Sequence, residues 1–284
     1  MISICIPTYN SPQTLQRLLE SIFSQTYNEY EIIVSDDSTN EDVMHIVGDY
    51  DDGRLKYYHN ASPLGTPENW NNAIRNASGE YIKVMHHDDW FVTNDALEKM
   101  LEAINNANAD FVFCQSAGTP PHTPSQMEVE ARMNDRLPYL LSGNIIGAPS
   151  ATMYRKSSLE YDKNIKYFVD VDFYIEYLRT HRAIYIHEEL IQIGTTPVRV
   201  TDAVVTDREL VYNEFQYAFL KLWNGEQWNH MILRDVFRSY VEENPDFRLY
   251  KIKGLTAVQK NIILRQYCKS TYISFKRKLK RLKR

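Results

Sequence analysis

The chain has 284 residues, of which 43% are hydrophobic and 12% aromatic. That is enough for one large domain, or for a domain of about 200 residues with an appendage. Formal net charge is −5, but seven Lys or Arg and no acid occupy the last ten residues, which leaves −12 for the rest. An acidic body excludes a general nucleic-acid binder, whose footprint is a basic face on the folded domain. The basic tail suits attraction to an anionic membrane surface.

Cys5, Cys114 and Cys268 are far apart and match no metal or redox spacing. The first residues carry no basic region before their apolar run, so no secretory leader is expected. No stretch reaches the roughly 18 apolar residues of a membrane span. A cytoplasmic protein, at most peripheral on the cytoplasmic face of a membrane, is the expectation. Tyrosine is frequent, at 20 residues, and its amphipathic ring suits pockets that hold bases and sugars.

Strand and helix alternate through the first half. Residues 2–7 alternate Ile with smaller residues and predict a strand. Asn10, Ser11 and Pro12 then supply capping and first-turn residues. Leu15, Leu18, Leu19, Ile22 and Phe23 fall on one helical face. Residues 31–35 predict a second, buried strand, and the turn at 36–40 leads to a helix from about 41. A short strand at 54–58, a loop with Pro63, Gly65 and Pro67, and a helix at 69–77 follow. Residues 80–85 predict a further strand, ending at His86, His87, Asp88, Asp89 and Trp90. A helix near 95–106 and a strand at 110–114 complete the pattern.

Residues 117–144 show weak periodicity and read as a loop or lid. Residues 145–154 predict a strand returning to the sheet, and 167–178 a helix whose start carries Asp170 and Asp172. Beyond about 204 the sequence predicts helices over 210–222, 230–241 and from 255 onward.

Such alternation implies an α/β fold with a mostly parallel sheet and helices on both faces. Ligands of such sheets bind beyond the carboxyl ends of the strands. Three polar clusters lie at those ends: Thr8 with Tyr9 and Asn10, Asp36 with Asp37, and residues 86–89.

Each cluster suggests a chemical role. Asp36 or Asp37 can accept from the ring N–H of a uracil, and Tyr9 can stack on its face; Asp36 is equally a turn and capping residue. Asp88 and Asp89 offer hard oxygen ligands to a divalent cation, and His86 and His87 offer nitrogen. Asp170 and Asp172 are candidate general bases, or acids that favour a helix dipole. Two positions apart, they do not share a helix face.

Several runs in order resemble the inverting glycosyltransferases of family 2. These are Ser3-Ile-Cys-Ile-Pro-Thr-Tyr-Asn10, residues 18–26, residues 31–39, and residues 69–74 followed by 79–82. The resemblance is strong over about residues 1–115 and fainter over 147–179. It implies a GT-A fold, with a Rossmann-like nucleotide-binding part at 1–115, an acceptor part at 116–203 and a helical C-terminal extension at 204–284. It implies that Pro7, Thr8, Tyr9, Asn10, Asp36, Asp37, His87 and Asp88 contact the nucleotide. The family's Asp-x-Asp motif falls on residues 86–88, so Asp88 would hold Mn²⁺ or Mg²⁺, with His86 in place of the first acid. Asp170 falls on the family's base, with Asp172 as second choice.

The implied donor is a nucleotide sugar, with UDP favoured, and the implied acceptor a saccharide or lipid-linked saccharide of bacterial surface polysaccharides. Residues 272–284 would lie on the membrane surface. Two alternatives stand beside this reading. A catalytically inactive nucleotide-sugar-binding subunit would fit His86 in place of an acid. A nucleotidyltransferase would want a Gly-rich basic loop early in the chain, and residues 3–12 contain no Gly, Lys or Arg.

Overall fold

The computed structural model describes residues 1–118, 121–194, 206–224, 229–244, 247 and 256–282. The side chains expected to meet a membrane from residue 277 onward lie outside this description.

β1 (Ile2–Thr8) is buried at every position. Its alternate residues Ile2, Ile4 and Ile6 join one hydrophobic cluster, and Cys5 joins another on the opposite face. This two-sided burial explains the near-continuous apolar run in a parallel strand. Asn10 then adopts left-handed backbone, φ 46°, which Asn tolerates better than most residues. α1 (Pro12–Phe23) begins on Pro12, whose missing N–H costs nothing in a first turn.

The chain continues through β2 (Tyr30–Asp36), α2 (Asp42–Gly48), β3 (Leu55–His59), α3 (Glu68–Arg75) and β4 (Tyr81–Val84). A short β5 (Trp90–Phe91), α4 (Ala96–Ala107) and β6 (Phe111–Ala117) follow. The sheet order is β3-β2-β1-β4-β7-β6-β8-β5. β3, β2, β1 and β4 pair in parallel. β7 (Thr152–Arg155) runs antiparallel to both its neighbours. β8 (Ala183–Gln192) is parallel to β6, and β5 closes the edge antiparallel to β8.

α1, α2 and α4 cover one face, and α3 and α6 (Val169–Leu178) the other. The mixed α/β fold with helices on both faces and a helical C-terminal part is the one expected.

Two local expectations are corrected. Residues 117–144 are not simply a loop. They hold α5 (Gln126–Arg132), started by a Ser125–Glu128 capping box, and a 3₁₀ segment at Asn134–Ser142. Leu137, Leu140 and Leu141 of that segment are buried. Residues 145–151 are not strand. Gly147 at φ 94° and a 3₁₀ turn over Pro149–Ala151 break the extended run, and only Thr152–Arg155 pairs. β8 was not expected at all.

The C-terminal helices are α7 (Arg208–Asn224), α8 (His230–Glu243) and α9 (Ala257–Leu282). One buried cluster contains Phe168, Val169 and Phe173 together with Phe215, Phe219, Phe237 and Tyr240. The core therefore runs unbroken across the expected boundary at 203/204. Phe215 sits at its centre, fully buried and stacked 3.5 Å from the Tyr240 ring. Phe215→Ala should cost about 3–5 kcal/mol, the usual range for removing a core aromatic. A denaturant titration followed by tryptophan fluorescence checks this. A shared core requires the midpoint to fall while the transition stays single.

Candidate active site

Residues at the carboxyl edge of the sheet line a cleft of about 2110 Å³. Pro7, Thr8, Tyr9 and Asn10 enter from the end of β1, and Asp37 from the end of β2. Residues 86–89 enter after β4, and Asp170 from the first turn of α6. Of the residues singled out in the sequence, Asp36 and Asp172 are not among those lining it.

The β1 end is built for access. Tyr9 is 51% exposed. Thr8 is buried and its Oγ1 has no hydrogen-bond partner, while its carbonyl accepts from Asp37 N at 3.0 Å and Asn69 Nδ2 at 3.2 Å. Asn10 Oδ1 accepts from Thr39 N at 3.0 Å, which ties this turn to the next.

Asp36 and Asp37 divide their tasks. Asp36 is fully buried and accepts from Ser38 N at 2.9 Å and Tyr57 Oη at 2.7 Å. Asp37 faces the cleft. It accepts from Leu64 N at 3.0 Å, Gly65 N at 2.8 Å and Asn60 Nδ2 at 2.8 Å. It thereby fixes the loop at 60–67 that forms one cleft wall. Gly65 takes φ 72°, which a side chain would resist.

The turn after β4 is held from three sides. His86 N donates to Ser150 Oγ at 3.0 Å. The Asp88 carbonyl accepts from Arg17 at 2.9 Å. Gly194, just past β8, donates to Asp89 Oδ1 at 2.9 Å. A Cβ on Gly194 would stand 2.0 Å from the Asp88 carbonyl oxygen, so this close backbone approach requires glycine.

Charge in this turn is tuned by burial. Burial lowers the pKa of both His86 and His87 and favours neutral imidazoles. Burial, aided by the neighbouring Asp88, pushes Asp89 up to about 6. Lys83 lies fully buried beneath the turn and donates to the Ser150 carbonyl; burial pulls it down to about 7.

His86 Nδ1 lies 3.9 Å from Asp89 Oδ2, and its Nε2 is buried without a hydrogen-bond partner. Neutral imidazole with an unused ring nitrogen, next to the cleft-lining Asp88, is a donor set that suits a divalent cation. Among the described residues no group of three or more His, Cys, Asp or Glu converges as a metal site. A cation here would need its remaining ligands from a bound molecule or water.

Asp170 and Asp172 separate cleanly. Asp170 Oδ2 accepts from Asn144 Nδ2 at 3.0 Å and its Oδ1 from Val171 N at 2.8 Å. Burial pushes its pKa up to about 6. Asp172 points to the other side of α6 and pairs with Lys221 at 2.7 Å. Only Asp170 can meet a molecule in the cleft.

The site also includes residues not singled out from sequence. Trp70 packs between His86 and Tyr161, with ring centroids at 4.7 and 5.1 Å, and forms an aromatic wall. Tyr240, Glu243 and Asn244 bring the end of α8 to the cleft. Trp70 lies within residues 69–74, one of the runs that resemble the family, and that is its one sequence signal. Asn144 and the α8 residues had none.

Residues 3–162 match the model of Glycosyl transferase family 2. An uncharacterised glycosyltransferase of Rickettsia typhi is 26% identical over 93% of this chain and 86% of its own. The UDP-Glc:alpha-D-GlcNAc-diphosphoundecaprenol beta-1,3-glucosyltransferase WfgD of Escherichia coli is 29% identical over 40% of this chain and 44% of its own. Among solved structures, Staphylococcus aureus TarS 1-349 in complex with UDP-GlcNAc superposes with a TM-score of 0.67 at 20% identity. That match covers 87% of this chain and 73% of TarS 1-349, and it shows a shared fold. The match over more than half of the chain, including the cleft residues from β1, β2 and the 86–89 turn, places it in glycosyl transferase family 2.

Proposed function

We propose that this glycosyltransferase moves a sugar from a UDP-sugar to a hydroxyl of a lipid-linked saccharide, with inversion at the anomeric carbon. The observation that carries the reading is Asp170. It is a half-buried carboxyl facing the same cleft as Tyr9, Asp37 and Asp88. WfgD, named for UDP-Glc and a diphosphoundecaprenol acceptor, supports the donor and acceptor classes. The UDP-GlcNAc complex of TarS supports a nucleotide site in this fold. The setting would be bacterial surface polysaccharide synthesis at the cytoplasmic face of a membrane.

The reaction is a single displacement. Asp170 takes the proton of the acceptor hydroxyl as its oxygen attacks the anomeric carbon. The bond from that carbon to the diphosphate breaks, and its electron pair leaves with the diphosphate. Tyr9 offers a ring for the base and Asp37 a carboxylate beside it. Trp70 and Tyr161 wall the region between the 86–89 turn and α6 and limit water there. Asp88 and His86 would hold Mn²⁺ or Mg²⁺, which supplies positive charge for the leaving diphosphate.

Asp170→Asn should lower turnover by about 10²- to 10⁴-fold, the usual contribution of a positioned base. Binding of UDP should stay near normal. Wild-type kcat/KM should fall about tenfold per pH unit below about 6, because the base works only when ionised. Flat activity from pH 5 to 7 would remove Asp170 from the base role.

UDP should raise the melting temperature, and more so with Mn²⁺. At a hundred times Kd the stabilisation is about 2.7 kcal/mol. Asp88→Asn should abolish the Mn²⁺-dependent part and leave a metal-independent shift. Equal shifts in both proteins would put the metal elsewhere.

α9 presents Val258, Leu264, Tyr272 and Ile273 as exposed apolar side chains. With the basic run at 276–284 they form a candidate anchor for anionic lipid, each cation contributing about 1 kcal/mol near the surface. Full-length protein should co-sediment with phosphatidylglycerol vesicles, and a chain ending at Ser270 should not. Equal sedimentation of the two would dismiss the anchor.

A further inference from the structure

We infer that Glu214, on the C-terminal helix α7, is a positioning residue for Asp170. The inference rests on the transferase reading above.

Glu214 is buried, although carboxylates rarely are unless well partnered. It has such partners. Its Oε1 accepts from Lys166 N at 2.8 Å, and its Oε2 from Tyr167 N at 2.7 Å and Phe168 N at 3.4 Å. These three amides belong to the turn that leads into α6. Phe168 is the N-cap of that helix and makes no side-chain cap of its own. Asp170 follows two residues later. A carboxylate from 44 residues downstream thus fixes the backbone ahead of the helix, up to its N-cap amide, and so sets where α6 begins.

The grip is doubled. Lys221 lies seven residues after Glu214, two turns along the same face of α7. Its ammonium pairs with Asp172 at 2.7 Å and reaches Asp162 at 3.4 Å. α7 therefore holds the α6 start at its backbone and α6 itself at Asp172. Phe215, beside Glu214, packs on Phe168 at 6.3 Å between centroids. Asp170 is left free of that face and turned to the cleft.

Loss of Glu214 would leave three amides without their acceptor and release the turn. A shift of about 1 Å in a reacting group typically costs about 10²-fold in rate. The donor side of the cleft, built on β1, β2 and the 86–89 turn, does not touch Glu214.

The test measures UDP release from UDP-glucose and UDP-GlcNAc with Mn²⁺, with water taking the place of the acceptor hydroxyl, alongside UDP binding by thermal shift. Glu214→Ala should lower kcat about 10²-fold with UDP affinity within twofold. Glu214→Gln keeps one acceptor oxygen, enough for Tyr167 N and Phe168 N, but sets its NH2 against Lys166 N, so it should recover only part of the loss. Leu222→Ala, a buried site on the same helix away from the turn, controls for stability. It should lower the melting temperature and leave kcat of the folded protein unchanged. An active wild type with a fully active Glu214→Ala overturns this inference alone. So does a Leu222→Ala that loses kcat as much as Glu214→Ala. A wild-type chain that binds UDP but never turns over either donor overturns the transferase reading, and this inference with it.

Discussion

Parallel pairing of β1 with both β2 and β4 is the constraint on which the site depends. The register sets Thr8 opposite Asp36 and Cys5 opposite Val84, so three strands end at one edge. The opposite edge is locked. Glu31 accepts from Ser3 Oγ at 2.6 Å, Lys56 Nζ at 2.8 Å and Ser78 N at 2.6 Å. Burial would raise its pKa, but these hydrogen bonds outweigh that and bring it down to about 2. Gly79 packs there so closely that a Cβ would lie 2.8 Å from Ser3 N. One edge thus holds its polar groups in mutual bonds, while the other keeps some of them, such as Thr8 Oγ1, without a partner.

What the sequence revealed follows from how far each signal reaches. Parallel strands buried on both faces leave near-continuous apolar runs, so β1, β2 and β4 were legible. β8 was not. Its sequence AIYIHEELIQ is half-exposed over its first seven residues, and its register against β6 shifts twice near Gln115. No single period survives such irregularity. The capping box at Ser125 and Glu128 was in plain view, and the weak periodicity after it masked its meaning. The helices from residue 204 were legible individually. Their contribution to the cleft was not, because Tyr240 and Glu243 reach it through tertiary packing alone.

Asp170 and Asp172 show why spacing could narrow the choice of base and not make it. Burial raises both to about 6, so proton affinity does not distinguish them. Position does. A step of two residues turns a helical side chain through roughly 200°, which sends one acid to the cleft and the other to Lys221. The same geometry separates Asp36 from Asp37, since successive residues at a strand end face opposite ways. In both pairs one acid lines the cleft and its neighbour does not, although Asp37 also holds the 60–67 loop.

The charge of the cleft bears on how a diphosphate could sit there. Around the nucleotide part, Asp37, Glu68, Asp88 and Asp89 line the walls. Among the cleft's cations, Arg75 already pairs with Glu68 at 2.6 Å and Glu160 at 2.7 Å, and Lys163 and Lys166 belong to the wall ahead of α6. A unit negative charge about 4 Å from a carboxylate meets a repulsion of about 4 kcal/mol at an effective dielectric of 20. Two such contacts would cancel most of the roughly 8 kcal/mol of a micromolar ligand. Aromatic stacking on Tyr9 is too weak to offset that. Burial reduces the repulsion in part, because Asp89 raised to about 6 can take up a proton at modest cost. Asp88 lines the same wall, and with His86 it would hold a divalent cation that supplies positive charge for the phosphates. A divalent cation held there would reverse the sign of the interaction at Asp88. The acidic character of this cleft is thus itself an argument for metal-assisted donor binding.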